Sequence, residues 1–410
     1  MTTPFIYIVG QPDPSSDALN IIHRLGYKAG ILIDAKLSLK NADTYDQVIA
    51  VEYDNLDAEI LRLDTLNLHV AGLLCTYENY IVAKAKLGKH FNVPAPSLTS
   101  AKLATDKSLM RQAFLNADRS ISPDFTTADS LDEVLNFART HTYPLILKPT
   151  NLVKSLLVLR CNNEAELIEN FTYAQSSIMA LYEKYHIYER SPQLIIEEFI
   201  VGRQCSIAAF VDSDGVPHFC DGIVALTNAQ DIDVSDNYLY RRALPVVFDE
   251  LLTKKMFDVA EKGIRALQMR SVPAHVELMY TENDVKIIEI GARIGGYRPR
   301  MYAYSYGLHL IEQEVRLALG QTPELQGSFQ NFCAVYELFP DTEGAFVRIA
   351  GEIDTDAFAY YRITAQPGKQ VGPAKNGHKA SAIIIAVEND KEKFDALCSA
   401  VDHLKVEVAP

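Results

Sequence analysis

The stretch 274–296, AHVELMYTENDVKIIEIGARIGG, constrains the fold of this chain more than any other. Val276, Leu278 and Tyr280 alternate with His275, Glu277 and Met279, and after a polar break comes Val285-Lys286-Ile287-Ile288-Glu289-Ile290. Two β-rich runs around a short Asn/Asp-containing loop read as a hairpin. With Glu282-Asn283-Asp284 as the loop, Thr281 sits opposite Val285 and Glu277 opposite Glu289. Facing residues of an antiparallel pair have Cβ atoms about 4.5–5.5 Å apart, and like charges there destabilise the sheet. The period of a strand puts Gly291 and Arg293 on the face of Glu289.

A cation between the two carboxylates removes that conflict. Mg²⁺ suits the position, because it takes oxygen ligands and is held by one or two carboxylates together with substrate phosphates. On this reading, removing the charge of Glu289 leaves the metal-free chain as stable or slightly more stable. Arg293 suits a phosphate or acyl-phosphate oxygen. A register shifted by one residue, with one Glu turned to water, is the alternative reading of the same residues.

The chain has 410 residues, which suggests about two to four structural units. Its net charge is −14 and it has no dense Lys/Arg block, which argues against nucleic-acid and anionic-membrane partners. The cysteines, Cys75, Cys161, Cys205, Cys220, Cys333 and Cys398, are scattered without a CxxC pair, and several lie in apolar runs. Free buried thiols in a reducing cytoplasm are expected. No basic-plus-apolar leader and no run of transmembrane length is seen.

Taken in order, the runs 4–10, 28–34, 48–53 and 70–76 read as strands, with helices over 17–25 (capped by Ser16 or Asp17) and 59–66. That alternation predicts a parallel α/β sheet. The loop GQPDPSS lacks G-x-G-x-x-G, so a dinucleotide cofactor is not supported. Glu78 opens a helix to residue 90, and Asn92-Val93-Pro94-Ala95-Pro96 reads as a boundary. Helices are expected over 100–116, 131–140 and 164–181, with strands at 143–149, 151–160, 193–199 and 204–211. Lys148 ends a buried run and either snorkels or points into a cleft. A helix over 311–319 and strands at 331–339, 346–352, 357–365 and 381–387 follow, with a last helix over 390–401.

The hairpin motif resembles the metal-binding signature of the ATP-grasp family of carboxylate–amine ligases: a Glu, a short gap, then E-I-N-P-R-x-G-G. The resemblance runs from about residue 5 to 320. It implies an α/β ATP-grasp fold with a Rossmann-like N-terminal domain (1–97), a small lid subdomain (98–200), a large subdomain with the metal hairpin (201–325) and a C-terminal antiparallel α+β extension (326–410). It implies ATP and Mg²⁺ (or Mn²⁺) as cofactors and a small-molecule carboxylate and amine as substrates, and it admits a homodimer. Glu277 and Glu289 fall on the metal ligands, and Arg293 on the phosphate-side arginine. Lys107, after Asp106, and Lys148 resemble the two phosphate-contacting lysines, with Lys148 and Arg293 as catalytic groups. Ile196-Glu197-Glu198-Phe199-Ile200-Val201-Gly202 resembles the adenine hinge, where Glu197 accepts from the adenine amino group and the backbone around Glu198, Phe199 and Ile200 meets the ring. Gln204 falls where a Glu often holds the ribose. Glu78, His275, Arg298 and Arg300 are placed with the substrates, although His275 also reads as a hydrogen-bonded core residue.

Two departures stand out. Gly291 takes the place of a metal-binding Asn, so water or substrate must supply that ligand. The loop after Lys148-Pro149 is Thr150-Asn151-Leu152-Val153-Lys154-Ser155-Leu156-Leu157, without the glycines that bring backbone N–H groups to phosphate. Only Ser155 matches the family there, and Lys154 adds a charge. Three functions stay open on the residues: a carboxylate–amine ligase, a carboxylase-type or purine-pathway ATP-grasp enzyme, and a nucleotide-binding protein without turnover.

Overall fold

A computed structural model describes residues 3–12, 17–152, 156–184, 191–232, 234, 236 and 238–409. Four parallel strands lie in the spatial order Gln47–Val51, Lys28–Asp34, Phe5–Gly10, Val70–Leu74. Parallel strands are covered on both faces and so read as continuous apolar runs. Here Tyr7, Val9 and Leu32 join a core that includes Ile81 and Leu87, while Ile6, Ile8, Ile31 and Ile33 pack with Ile21, Ile22 and Val315.

The helix expected over 100–116 is two helices, Leu98–Thr105 and Lys107–Ala117, broken at Asp106. Asp106 is extended (φ −124°, ψ 115°) and its carboxylate accepts from the amides of Ser108 and Leu109 at 2.9 and 3.1 Å. An Asp competes with helical backbone bonding and is favoured at an N-cap. Both helices bury Ala101, Ala104, Met110 and Phe114 in the core shared with the large sheet. The lid's own core is formed by residues from Ala128 to Ile196, around a sheet in the order Phe125–Thr127, Leu194–Glu198, Leu145–Pro149, Leu159–Cys161. The strand expected over 151–160 is thus confined to Leu159–Cys161 among the described residues. The Ser16 cap lies outside them; Asp17 is the N-cap residue but its side chain makes no cap bond.

The large sheet has the order Val285–Gly291, Val272–Tyr280, Arg203–Val211, Ile223–Asn228, Leu239–Val246, Phe332–Leu338, Ala382–Glu388, Tyr360–Ile363, with Pro217–Phe219 paired beside Arg203–Val211. Strands of the C-terminal extension therefore continue the sheet that carries the hairpin. On one face Val276, Leu278, Ile287 and Ile290 pack with Met256, Ala260 and Ile264 of the Glu250–Ala266 helix. On the other, the register aligns Glu289, Glu277, Ser206 and Val224 across four strands, and Gln204, Leu226, Arg242 and Val335 beside them. The Arg298–Tyr306 helix covers part of that second face through Met301 and Tyr302. No helix among the described residues is long and apolar enough to cross a membrane.

Candidate active site

The hairpin pairs Glu277 with Glu289. The route to that register differs from the expected one. Tyr280, not Thr281, pairs with Val285, and a bulge between Glu277 and Leu278 restores the register at the glutamates. Bulges recur beside active sites, where they re-aim a side chain. Thr281 Oγ1 accepts from the amides of Asn283 and Asp284, which shapes the turn.

The cation beside Glu289 belongs to the protein. Lys107 Nζ stands 3.2 Å from Glu289 Oε2 and also donates to the Leu152 carbonyl at 3.1 Å. Burial pushes the Glu289 carboxyl up, but Lys107, Lys148 and Arg293 outweigh it and hold the group down at about 2. Burial likewise opposes the charge on Lys107, and Glu289 and Glu78 more than restore it. The repulsion expected between the two carboxylates is therefore already offset without a metal. The expectation that neutralising Glu289 leaves the metal-free chain as stable or more stable is reversed, because Lys107 would lose its partner.

Glu277 is held from both sides. Its Oε2 accepts from Gln204 Nε2 at 3.0 Å, and Gln204 Oε1 accepts from Asn228 Nδ2 at 3.0 Å. His275 Nε2 lies 3.1 Å from Glu277 Oε1. Burial moves the His275 imidazole below its ordinary range despite Glu277, and its Nδ1 has no hydrogen-bond partner among the described residues. A Cβ on Gly295 would come within 2.6 Å of that ring, so only glycine lets the chain pass there.

Lys148 points into the cleft and not to the surface: it is 5% exposed and bonded to Glu197 Oε1. Burial outweighs the attraction of Glu197 and brings the Lys148 ammonium down to about 8. The second Glu197 oxygen accepts from Arg111 Nε at 3.0 Å, and Arg111 Nη2 donates to the Ile288 carbonyl at 2.6 Å. With a cation on each oxygen, the Glu197 side chain is not the free acceptor expected for an adenine amino group. It is the counter-ion that keeps two buried cations in place. Glu198, on the opposite face of its strand, accepts from the Asp124 amide at 2.9 Å. Phe199 carries the Arg160 guanidinium 4.6 Å over its ring, and half-buried Ile200 follows it. Gly202 closes this connection at φ 154°, where a Cβ would meet the Tyr280 carbonyl oxygen at 2.5 Å.

Arg293 Nη2 is 3.3 Å from Glu78 Oε2, and a Cβ built on Gly291 would lie 3.7 Å from the same Glu78 oxygen. Glu78 thus stands beside the space that the missing Asn would use. Arg298 and Arg300 part company. They begin the Arg298–Tyr306 helix, and residues two apart on a helix face different ways. Arg298 turns inward, 2% exposed, and donates to Ser206 Oγ at 2.8 Å. Burial first, and then the neighbouring Arg242 guanidinium, bring Arg298 down to about 10. Arg300 turns to the C-terminal strand and lies 4.8 Å over the Tyr360 ring, so it is not brought to the glutamates. Lys154 and Ser155 lie outside the described residues.

Sequence reasoning missed Arg111, Arg242 and Glu337. Arg242 pairs with Glu337 Oε2 at 2.8 Å, and Tyr297 Oη donates to Glu337 Oε1 at 3.0 Å. The signal for Arg111 was its place one helical turn after Lys107, on a helix whose start had not been located. Arg242 gave none, because its strand was not read.

The oxygen donors Glu277 and Glu289, facing each other and ringed by cations suited to phosphate, fit a hard divalent ion with nucleotide. Residues 141–300 match the ATP-grasp domain family. Among solved structures, the L-amino acid ligase from Bacillus licheniformis superposes with a TM-score of 0.81 at 18% identity, over 100% of this chain and 99% of that one. The alanine–anticapsin ligase of Bacillus subtilis is 25% identical over 231 residues, 54% of this chain and 48% of that protein. The 3-methyl-D-ornithine–L-lysine ligase of Methanosarcina barkeri is 20% identical over 226 residues, 55% of this chain and 59% of that protein. The matches span about half the length of these two ligases. The domain match and the superposition give the chain the ATP-grasp fold. The two curated relatives named here are ligases.

Proposed function

We propose that the protein activates a carboxylate with ATP as an acyl phosphate and joins it to an amine, releasing ADP and phosphate. The observation that carries the reading is the carboxylate pair Glu277–Glu289 enclosed by Lys107, Lys148 and Arg293. The ligase names of the relatives support it. Glu277 and Glu289 would hold Mg²⁺ or Mn²⁺, which would supply Lewis-acid polarisation and charge neutralisation at the phosphates.

The chain's own residues do the remaining work by positioning and charge neutralisation. Lys107 and Lys148 meet phosphate oxygens; each now leans on a carboxylate, Glu289 or Glu197, and exchanges that partner for the nucleotide. Asp106 sets Lys107 at the first position of its helix, and the Lys107 amide donates to the Thr150 carbonyl at 2.8 Å, which ties this lysine to the start of the lid loop. The adenine is received by the backbone of Glu198, Phe199 and Ile200, with Gln204 on the ribose side. Arg293, aimed by Glu78, faces the transferring phosphoryl group and the carboxylate that accepts it. His275 remains neutral and orients Glu277.

Phosphate release from Mg²⁺-ATP, screened with amino acid mixtures, bicarbonate and formate, tests the reading. Release that requires amino acids supports it. Release that requires bicarbonate or formate makes the protein a carboxylase-type or purine-pathway enzyme, and tight ATP binding without release makes it a non-catalytic binder.

A further inference from the structure

Arg298 is, among the described residues, a buried guanidinium with no ion pair to a carboxylate. Among the described residues its contacts are Ser206 Oγ at 2.8 Å, the Gly296 carbonyl at 3.1 Å and the Met301 sulfur at 3.8 Å, and its Nε has no hydrogen-bond partner. Its charged neighbours include two more guanidinia, Arg242 and Arg293, and one carboxylate, Glu277, which is hydrogen-bonded to Gln204 and His275. Arg293 has Glu78. Arg242 has Glu337, whose other oxygen is taken by Tyr297. Arg242 is thus ion-paired, whereas Arg298 makes no ion pair among the described residues, and with Glu277 committed to a metal it would be left without a counter-charge. A buried unpaired charge is unfavourable, and a carboxylate brought to a pair of guanidiniums gains charge-assisted, bidentate bonds.

The position separates this anion from the reacting one. Lys107, Lys148 and Arg293 act on Glu289, on the edge strand of the large sheet. The strand of Arg242 lies three places beyond that of Glu277, about 14 Å by strand spacing, with Ser206 between. An anion between Arg298 and Arg242 lies one to three strands beyond Glu277, on the side away from Glu289. We propose that Arg242 and Arg298 bind the free carboxylate of the amine-bearing substrate, so that the acceptor is an amino acid and not a simple amine. This rests on the ligase reading. A second carboxylate on the phosphorylated substrate would offer the same chemistry, and the experiment separates the two.

Once the screen has supplied a donor, phosphate release is measured with L-amino acids and their primary amides, paired as acceptors, for the wild type, Arg242→Gln and Arg242→Lys. A second arm compares glutamate with glutamine and aspartate with asparagine as donors. The wild type prefers the acid to the amide acceptor by about tenfold or more in kcat/KM, the worth of one charge-assisted pair. In Arg242→Gln that ratio falls toward one through the KM of the acid, while the KM for ATP moves little. Arg242→Lys keeps the charge opposite Glu337 and recovers part of the ratio. Retention of the wild-type ratio in both variants overturns the inference and leaves the ligase reading standing. A ratio that falls only in the donor arm also overturns it. If the wild type releases no phosphate with any pair, the ligase reading fails, and this inference with it.

Discussion

Lys107 Nζ and Glu289 Oε2 are 3.2 Å apart, and through them the first turn of one helix is tied to the edge strand of the large sheet. The contact makes Glu289 a stabilising group before any metal arrives. Glu289→Gln should lower the stability of the metal-free protein by about 1–3 kcal/mol, the cost of leaving a buried charged partner unsatisfied. It should also remove Mg²⁺-dependent turnover. Thermal melts without metal, set beside a phosphate-release assay, check both; a variant as stable as the wild type contradicts the pairing.

The same contact sets an acid dependence. The folded Glu289 carboxyl lies at about 2, against an ordinary value of 4.5. A carboxylate depressed in the folded state contributes stability that is present above its unfolded pKa and is lost as pH falls toward the folded one. The stability difference between wild type and Glu289→Gln should therefore shrink between about pH 4.5 and 2, by up to ~3 kcal/mol. Urea unfolding of both proteins across that range measures it; a constant difference contradicts the assignment.

Lys148 is not a free ligand awaiting nucleotide. Lys148→Ala removes one of two cations from Glu197, while Arg111 keeps the other side paired. A loss of about 1–3 kcal/mol in stability is expected, together with an ATP affinity weakened by about tenfold or more. Calorimetric titration with ATP in a variant shown to be folded decides it; unchanged affinity removes Lys148 from the nucleotide site.

The break at Asp106 is expected to matter for function as well as fold. Asp106→Ala should cost about 1 kcal/mol as a lost N-cap and should raise the KM for ATP, because Lys107 is the next residue. Asp106→Asn, which can still cap, should restore most of the stability. Equal ATP kinetics in Asp106→Ala and wild type would show that the cap does not position Lys107.

The architecture was legible where periodicity decides. The four apolar runs of the N-terminal sheet and the two halves of the hairpin occupy nearly the expected residues. The facing of Glu277 and Glu289 was also legible, although through two compensating differences, a turn one residue longer and a bulge. What was not legible depends on contacts far apart in the chain. Glu197 is 86 residues from Arg111, and only their packing shows that its carboxylate is occupied. The split helix was hidden because Thr105 and Asp106 do not interrupt the apolar pattern on either side. The strand Leu239–Val246, YRRALPV after its first Leu, carries two arginines and a proline, and so hid Arg242 in a segment that does not look like sheet. Arg298 and Arg300 were grouped because they follow the hairpin closely in sequence and no secondary structure was assigned there; as a helix the segment sends them apart.

That separation gives a further check. Arg300 lies on Tyr360, away from the glutamates. Arg300→Lys should change the KM of either substrate by less than about twofold, the range of ordinary surface substitutions. Steady-state kinetics beside Arg298→Lys, which should raise a substrate KM strongly, will show whether one arginine or both serve the site.

The central claim is transfer of the phosphoryl group to a carboxylate oxygen. With the carboxylate substrate found in the screen labelled with oxygen-18, mass spectrometry of the released phosphate reads that transfer directly. An acyl phosphate intermediate places one labelled oxygen in each phosphate formed, in step with the C–N product. Phosphate that carries only solvent oxygen would contradict the account.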